Sequence, residues 1–431
     1  HLATSLGYKN VVAGDMGGTS FDIGLVVDAS VRNYEFRPII DRWMVGITML
    51  QTLSIGAGGG SIAWIDHNLG GQLNVGPRSA GSDPGPACYD QGGTEPTVTD
   101  ADVVLGYINP DTYYGGRMPL NRDRAERAVR EKIAEPMGLP VAEAAGLIRR
   151  IVDANMYSAI KREIHLRGYH PEDFALFAFG GAGPTHVSGF LGDLAGAVIF
   201  PTAPVFCALG SSIMDIVHVY ETSRRMLVMV PMTQELTTDY EVFNGVVDQL
   251  MEQARADLAA EGLPADRAGF SLELDMLYGG QVNVKRTACP VLHLRGPQDV
   301  QALYDAFERE FSAAFSPLVV NKPGGVYLDN FVLKVTVPTA KPALPDLPLE
   351  AADAGAARTG QRPAWWPGQG WVQTPVYDAD ALRPGYHLDG PGIVEAPLTT
   401  VEVPPGMRYR IDRHGLGLLQ AIEHDQNGAE R

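Results

Sequence analysis

Asp15-Met16-Gly17-Gly18-Thr19-Ser20-Phe21-Asp22 sets two carboxylates, two adjacent glycines and a threonine hydroxyl between two apolar stretches. Residues 11–13 read as the start of one strand, and the alternation over residues 21–27 as a second, so the motif is the tip of a β-hairpin. Glycines at such a tip let backbone amides approach a phosphate, because no Cβ blocks them. Thr19 adds a hydroxyl donor, and Asp15, at the strand end, can hold Mg²⁺ directly or through water. The same residues also fit a simple glycine turn that the Asp stabilises.

A second candidate is Phe177-Ala178-Phe179-Gly180-Gly181-Ala182-Gly183-Pro184-Thr185-His186, an apolar strand, a glycine turn and a helix start. A base and ribose could pack on such bare backbone, and amides at a helix start favour negative charge. Tight strand–helix packing would select the same small residues. The run has neither the GxxxxGK[ST] nor the GxGxxG spacing. His186, beside the turn, is a candidate ATP contact, whereas His165 and His170 read as surface or capping groups.

Between these motifs lies a glycine- and proline-dense stretch, residues 56–96, too long for an ordinary connector. Its Gly58, Gly59, Gly60 and Ser61 could turn amides toward a phosphorylated intermediate, and Arg78 could pair with a phosphate or carboxylate through its planar fork. The alternative is a structural loop in which Arg78 is tied to a local carboxylate. Thr97, Asp100 and Asp102 could ligate a cation, although capping of the following helix by Thr99 or Asp100 fits better.

The elements that must position these groups follow from pattern. Residues 2–8 look like the tail of a helix ending at Gly7, whose apolar side should be covered. Residues 122–134, 141–168, 233–261 and 297–315 read as helices, and 174–179, 197–200 and 270–284 as strand segments. The domain reading is a nucleotide-binding lobe over 1–225 with the glycine-rich insert at about 54–110, an α+β domain over 226–340, an Ala/Pro-rich linker over 341–370, and a small β domain over 371–431. The formal charge of −17 disfavours nucleic acid and anionic membrane as partners, and no apolar run is long enough for a membrane helix. Cys88, Cys207 and Cys289 form no CxxC pair and read as small buried hydrophobes in a reducing cytoplasm.

Six motifs in order resemble the hydantoinase A/oxoprolinase family: DMGGTSFDIG (15–24), SIGAGGGSIAWID (54–66), VGPRSAGSDPGPACY (75–89), EPTVTDADVVLGYI (95–108), FGGAGPTH (179–186) and GPGIVE with PPG (390–395, 404–406). The resemblance implies an α/β, RNase H-like lobe of the actin-like ATPase fold, with mixed sheet and flanking helices, plus a smaller C-terminal β-rich domain. It implies ATP with Mg²⁺ or Mn²⁺ as cofactors, Asp15 as metal residue, and catalytic roles for Asp15, Thr19, Asp22 and Arg78. Nucleotide binding would fall to Gly17, Gly18, Thr19, Gly180, Gly181, Ala182 and Gly183, and the substrate loop to Gly58, Gly59, Gly60 and Ser61. The family's N-terminal lobe with the first phosphate loop is not in this sequence. That lobe, a hydantoinase B-like large subunit and a small third subunit are the implied partners.

Leu277 stands where hydantoinase-type members carry Arg in an Arg-Tyr-x-Gly-Gln signature. Residues 34–42 (YEFRPIIDR) resemble acetone and acetophenone carboxylase subunits, and residues 304–316 lack the histidines of hydantoinase types. These features lean to a carboxylase that phosphorylates a ketone enolate, bicarbonate or both to form a β-keto acid. ATP-dependent cleavage of a cyclic amide is the alternative, and a non-catalytic nucleotide-binding scaffold is another.

Overall fold

The computed structural model describes residues 1–31, 39–40, 42–44, 49–350 and 354–422. Most of the carboxylase-like stretch 34–42 lies outside them. The chain forms two compact units, one from 1–34, 46–210 and 343–431, the other from 35–45 and 211–342.

The first unit is built on a nine-stranded mixed sheet. Its strands are β1 (Val11–Met16), β2 (Phe21–Val27), β3 (Ser30–Val31), β4 (Thr52–Ile55), β5 (Ala175–Phe179), β6 (Ala197–Ile199), β7 (His387–Asp389), β8 (Met407–Ile411) and β9 (Gly417–Ala421). β2 pairs antiparallel with both β4 and β1, then β5 pairs parallel with β1 and β6 parallel with β5. That sequence of pairings is the RNase H-like arrangement expected. β5 is buried along its whole length, which explains its unbroken apolar run, whereas β2 alternates because it buries alternate side chains.

Helices α1 (Val98–Leu105), α2 (Val141–His165) and α3 (Gly183–Leu191) share a core with the sheet. α2 does so through a stripe including Ala145, Ile148, Val152, Met156 and Ile160. The cap of α1 differs in detail from the expectation. Thr97 is the N-cap, and Asp100 completes a reciprocal capping box with it. The Asp100 carboxylate also accepts from the Ala87 and Cys88 amides at 3.1 and 2.7 Å, so its acceptors are committed to structure rather than to a cation.

Gly189 of α3 faces α2 so closely that a Cβ there would lie 2.1 Å from Asp153 Oδ2. Gly189→Ala is therefore expected to destabilise this unit by about 1–3 kcal/mol through overpacking. Calorimetry on the purified protein checks this, and an unchanged melting temperature would mean that α2 and α3 do not pack this way.

The start of the chain behaves as its pattern predicts. Leu2–Ser5 is a short helix, Gly7 has φ +80°, and Ala3 packs with Val11, Phe177, Val198 and Leu416. The C-terminal segment is β-rich, and its strands β7, β8 and β9 extend the large sheet through β9–β6 pairing. Part of the expected linker is a strand. Arg358–Trp366 pairs with Gly370–Asp378 at the edge of a four-stranded sheet completed by Gly392–Ala396 and Thr399–Val403. Edge position tolerates Pro363, and Ala364 and Trp366 are buried there.

The second unit is an antiparallel four-stranded sheet in the order Ile216–Met229, Val326–Val337, Gly269–Tyr278, Lys285–Ala288. Helices Tyr240–Ala260 and Pro297–Phe315 share its core through Phe243, Val247, Phe307 and Phe311. The first helix begins later than the apolar pattern implied, because residues 233–239 are taken up by turns and a bridge to Met229.

Candidate functional site

β1 and β5 run side by side, with Asp15 opposite Phe179, so the hairpin tip and the Gly180–Gly183 turn emerge on one rim. The Ala182 amide donates to Met16 O at 3.0 Å and ties them together. The hairpin turn is closed by the Gly17 amide donating to Ser20 O at 3.1 Å, without the Asp15 carboxylate.

The glycines of this rim divide into two kinds. A Cβ on Gly180 would lie 2.3 Å from Met16 O and 2.4 Å from Asp15 Oδ1, and its φ is +85°, so glycine is required there by the chain itself. The same holds in the insert. A Cβ on Gly58 would meet Thr19 N at 2.7 Å, one on Gly59 Thr99 Oγ1 at 2.6 Å, and one on Gly60 Gly18 O at 2.9 Å. By contrast, Cβ atoms on Gly17, Gly18 or Gly181 would meet nothing within 4 Å, and none of the three has positive φ. Neither backbone strain nor crowding demands glycine at those positions. Close approach of a ligand to the backbone would. Gly183 is an intermediate case, its Cβ making only ordinary contact with Met16 N at 3.7 Å.

This corrects the reading of the substrate loop. The amides of Gly59 and Gly60 donate to Gly17 O and Gly18 O, that of Ser61 to Gly58 O, and that of Gly58 to Ser61 Oγ at 2.9 Å. They brace the hairpin tip from below and offer no donors to an intermediate. Among the described residues the amides of Gly18, Thr19 and Gly181 have no intramolecular acceptor. Arg78 is exposed at the end of its strand and, among the described residues, forms no ion pair, so the local carboxylate tie is not found.

A cavity of about 450 Å³ opens on this rim. Gly17, Gly18 and Gly59 line it with Gly181, Ala182 and Thr185, and so do Tyr89, Ile108 and Tyr113, together with the turn at Pro397 and Leu398. One part of its wall is bare backbone, another aromatic and aliphatic. Asp15 is not among the lining residues. Its carboxylate lies beside Gly180, across the ladder from exposed Asp22, and accepts from Cys207 Sγ at 3.0 Å. Cys207 is thus exposed rather than a core residue, and partial burial followed by the Asp15 carboxylate pushes its thiol up to about 11. Among the described residues no group of three or more His, Cys, Asp or Glu could hold a metal ion by itself.

Residues 1–219 match the hydantoinase/oxoprolinase family model, and residues 232–422 match the model of its C-terminal domain. The chain belongs to the hydantoinase/oxoprolinase family. It is 66% identical to the acetophenone carboxylase gamma subunit of Aromatoleum aromaticum over 98% of this chain and 58% of that one. It is 37% identical to the caprolactamase subunit alpha of Pseudomonas jessenii over 95% of this chain and 58% of that protein. The nucleotide-free structure of acetone carboxylase superposes with a TM-score of 0.86 at 28% identity, over 98% of this chain and 59% of that one. The chain therefore spans a little under three fifths of the length of these relatives.

Beneath the cavity this hydantoinase/oxoprolinase lobe carries a buried charge cluster that sequence reasoning missed. His186 is fully buried with both ring nitrogens taken by carboxylates, which corrects the expectation of an ATP contact. Its Nδ1 lies 2.7 Å from Asp153 Oδ1 and its Nε2 3.0 Å from Asp102 Oδ2. Arg149 reaches Asp102 Oδ1 at 2.7 Å, Glu402 Oε1 at 2.8 Å and the Thr185 carbonyl, with its guanidinium 4.6 Å from the Tyr107 ring centroid. Ser188 also donates to Glu402.

Burial opposes charge on His186, but the Asp102 carboxylate and then Asp153 overcome it, against repulsion from Arg149, and raise it to about 9. Burial pulls Asp102 upward, yet His186 and Arg149 outweigh it and hold Asp102 low, while burial raises Glu402. The available signal was Arg149 and Asp153 standing four residues apart on the otherwise apolar stripe of α2.

Proposed function

We propose that this chain carries the nucleotide-binding half of an ATP-dependent ketone carboxylase subunit, with an aryl ketone as acceptor. The observation that carries the reading is the set of unforced glycines, Gly17, Gly18 and Gly181, bordering one cavity with free amides of Gly18, Thr19 and Gly181 beside them. In a chain of net charge −17 such amides supply the local positive potential that a triphosphate needs. The purine and ribose would lie on Gly181 and Ala182 toward the apolar wall, and the phosphates at the hairpin tip.

Magnesium suits this donor set, since it is usually bound by one or two carboxylates, substrate phosphates and water rather than by an all-protein cage. Asp15 would hold it, with Asp22 opposite it on β2 as a second carboxylate; when bound it would neutralise phosphate charge during transfer. The chain's own part is positioning: the hairpin amides orient the phosphates, and Thr19 adds a donor. The enolate oxygen of the ketone, or bicarbonate, would accept the γ-phosphoryl group with ADP as leaving group; the enolate carbon then bonds to the carboxyl carbon and the transferred phosphoryl departs as inorganic phosphate, leaving a β-keto acid. The preference for carboxylation over amide cleavage rests on the 66% likeness to the acetophenone carboxylase subunit against 37% to the caprolactamase subunit. Leu277, where hydantoinase types carry Arg, leans the same way. A hydantoinase B-like large subunit, a small third subunit and the family's other ATPase lobe would complete the enzyme.

Gly181→Val tests the site. A Cβ there meets nothing within 4 Å, so the melting temperature should hold, while ATP-analogue affinity in the complete enzyme should fall by about 10² or more, the size of losing one or two hydrogen bonds to a charged phosphate. Unchanged affinity would remove this cavity from nucleotide binding. For the reaction, ATP consumption should require both an aryl ketone and bicarbonate; consumption with a cyclic amide and no bicarbonate would overturn carboxylation.

A further inference from the structure

The cluster under the cavity has an unusual charge arrangement. Three carboxylates, Asp102, Asp153 and Glu402, face two cations, Arg149 and His186, and all five side chains are nearly or fully buried. Both ring nitrogens of His186 point at carboxylate oxygens. An ionised carboxylate only accepts, so both nitrogens must donate, and the ring is an imidazolium. A neutral ring would set one lone pair against a carboxylate in a dry interior, where an unpaired group is costly.

The cluster also joins the walls of the cavity. Asp102 and Thr99 belong to α1, Thr185 and His186 to α3, and Glu402 to Thr399–Val403. Asp102 and Thr185 themselves line the cavity, as do Thr399 and Thr400. Thr185 Oγ1 donates to Thr400 O at 2.8 Å, and Thr399 Oγ1 to Gly181 O at 2.9 Å. Among the described residues His186 is the side chain of α3 that bonds to both α1 and α2, and it follows directly on Thr185.

We propose that His186 is a positioning residue for nucleotide binding: held as an imidazolium between Asp102 and Asp153, it fixes the Gly181–Thr185 turn against α1 and so sets the aim of the turn's amides. The proposal rests on the cavity being the nucleotide site. His186 touches no ligand. Its proton is the fastener, and removing that proton should loosen the turn without unfolding the sheet, which the apolar core it shares with α1, α2 and α3 still holds.

The groups facing the ring are Asp102 from α1, Asp153 and Arg149 from α2, and Glu402 from Thr399–Val403, with Tyr107 stacked beyond Arg149. Arg149 is held charged by its carboxylates, and Tyr107 is pushed up by burial and then Glu402, so neither titrates in the working range. The group that changes charge on the alkaline side is His186, near 9, and the bound state therefore persists below that pH and is lost as pH rises through it.

The experiment is the dissociation constant of a nonhydrolysable ATP analogue against pH in the complete enzyme, wild type and Asp153→Asn, with circular dichroism at each pH. In the wild type, affinity should hold to about pH 8 and fall about tenfold per unit above 9 with the far-ultraviolet spectrum unchanged. In Asp153→Asn one of the two carboxylates holding the proton is lost, and the fall should begin at least about one unit lower. KM for ATP should rise with it more than kcat falls. Wild-type affinity flat to pH 10 would overturn the proposal even if Asp153→Asn does not fold, and so would an identical pH midpoint in the two folded proteins. No analogue binding at any pH would instead reject the cavity as nucleotide site, and the role of His186 with it.

Discussion

Asp15→Asn in the complete enzyme is expected to lower phosphoryl transfer by about 10² or more, the size of losing one electrostatic stabiliser, with little change in melting temperature. Asn keeps the shape of the side chain and still offers Cys207 an acceptor for its thiol. What it removes is the negative charge beside Gly180, where the phosphates and their cation would lie. Stability should hold because the hairpin turn is closed between Gly17 and Ser20 without Asp15. If Asp15 instead tied the turn, Asn would lower the melting temperature and activity would fall only with the folded fraction. ATP consumption and melting measured on one preparation separate the two. Normal turnover in a well-folded Asp15→Asn enzyme would take the residue out of the mechanism.

Arg149→Met should produce the largest loss of stability, about 3–5 kcal/mol, the usual cost of removing one partner of a buried ion pair. The methionine fills much of the volume, so the loss is chiefly electrostatic. Asp102, Asp153 and Glu402 would be left in the interior with His186 alone, and the Thr185 carbonyl would lose its guanidinium donor. Against a total stability of about 5–15 kcal/mol for a domain, that is enough to unfold part of the population. Denaturant unfolding of the purified protein measures it. Arg149→Met combined with Glu402→Gln should recover part of the loss, because one uncompensated charge is gone. A loss below about 1 kcal/mol would mean that water reaches the cluster and screens it.

Much of the fold was legible because it is local. The alternation over β2, the unbroken apolar run of β5 and the glycine turns placed the hairpin tip and the strand–helix turn, and parallel pairing of β1 with β5 sets them on one rim. Pro297–Phe315 follows its helical period closely. The helix expected over 233–261 begins only at Tyr240, because residues 233–239 form a turn and the Leu236 bridge to Met229, which periodicity does not distinguish from a first helical turn. Proline and alanine make the region of Arg358–Trp366 look like linker, whereas edge pairing with Gly370–Asp378 makes it a strand.

The sequence by itself determined which residues could bare their backbone, and hence the family and the rim. It did not distinguish glycines that a ligand needs from glycines that the chain needs. Gly17, Gly18 and Gly181 differ from Gly58, Gly59, Gly60 and Gly180 in what stands across from them, and Gly180 also in its φ of +85°, and both depend on packing between segments distant in sequence. The charge cluster shows the same limit. Asp102, Arg149, Asp153, His186 and Glu402 are spread across the first unit and meet only when α1, α2, α3 and Thr399–Val403 close on one another. Whether His186 faces a ligand or two carboxylates is decided by burial, because a charged group in a dry interior must find opposite charge, and only the tertiary structure brings it there.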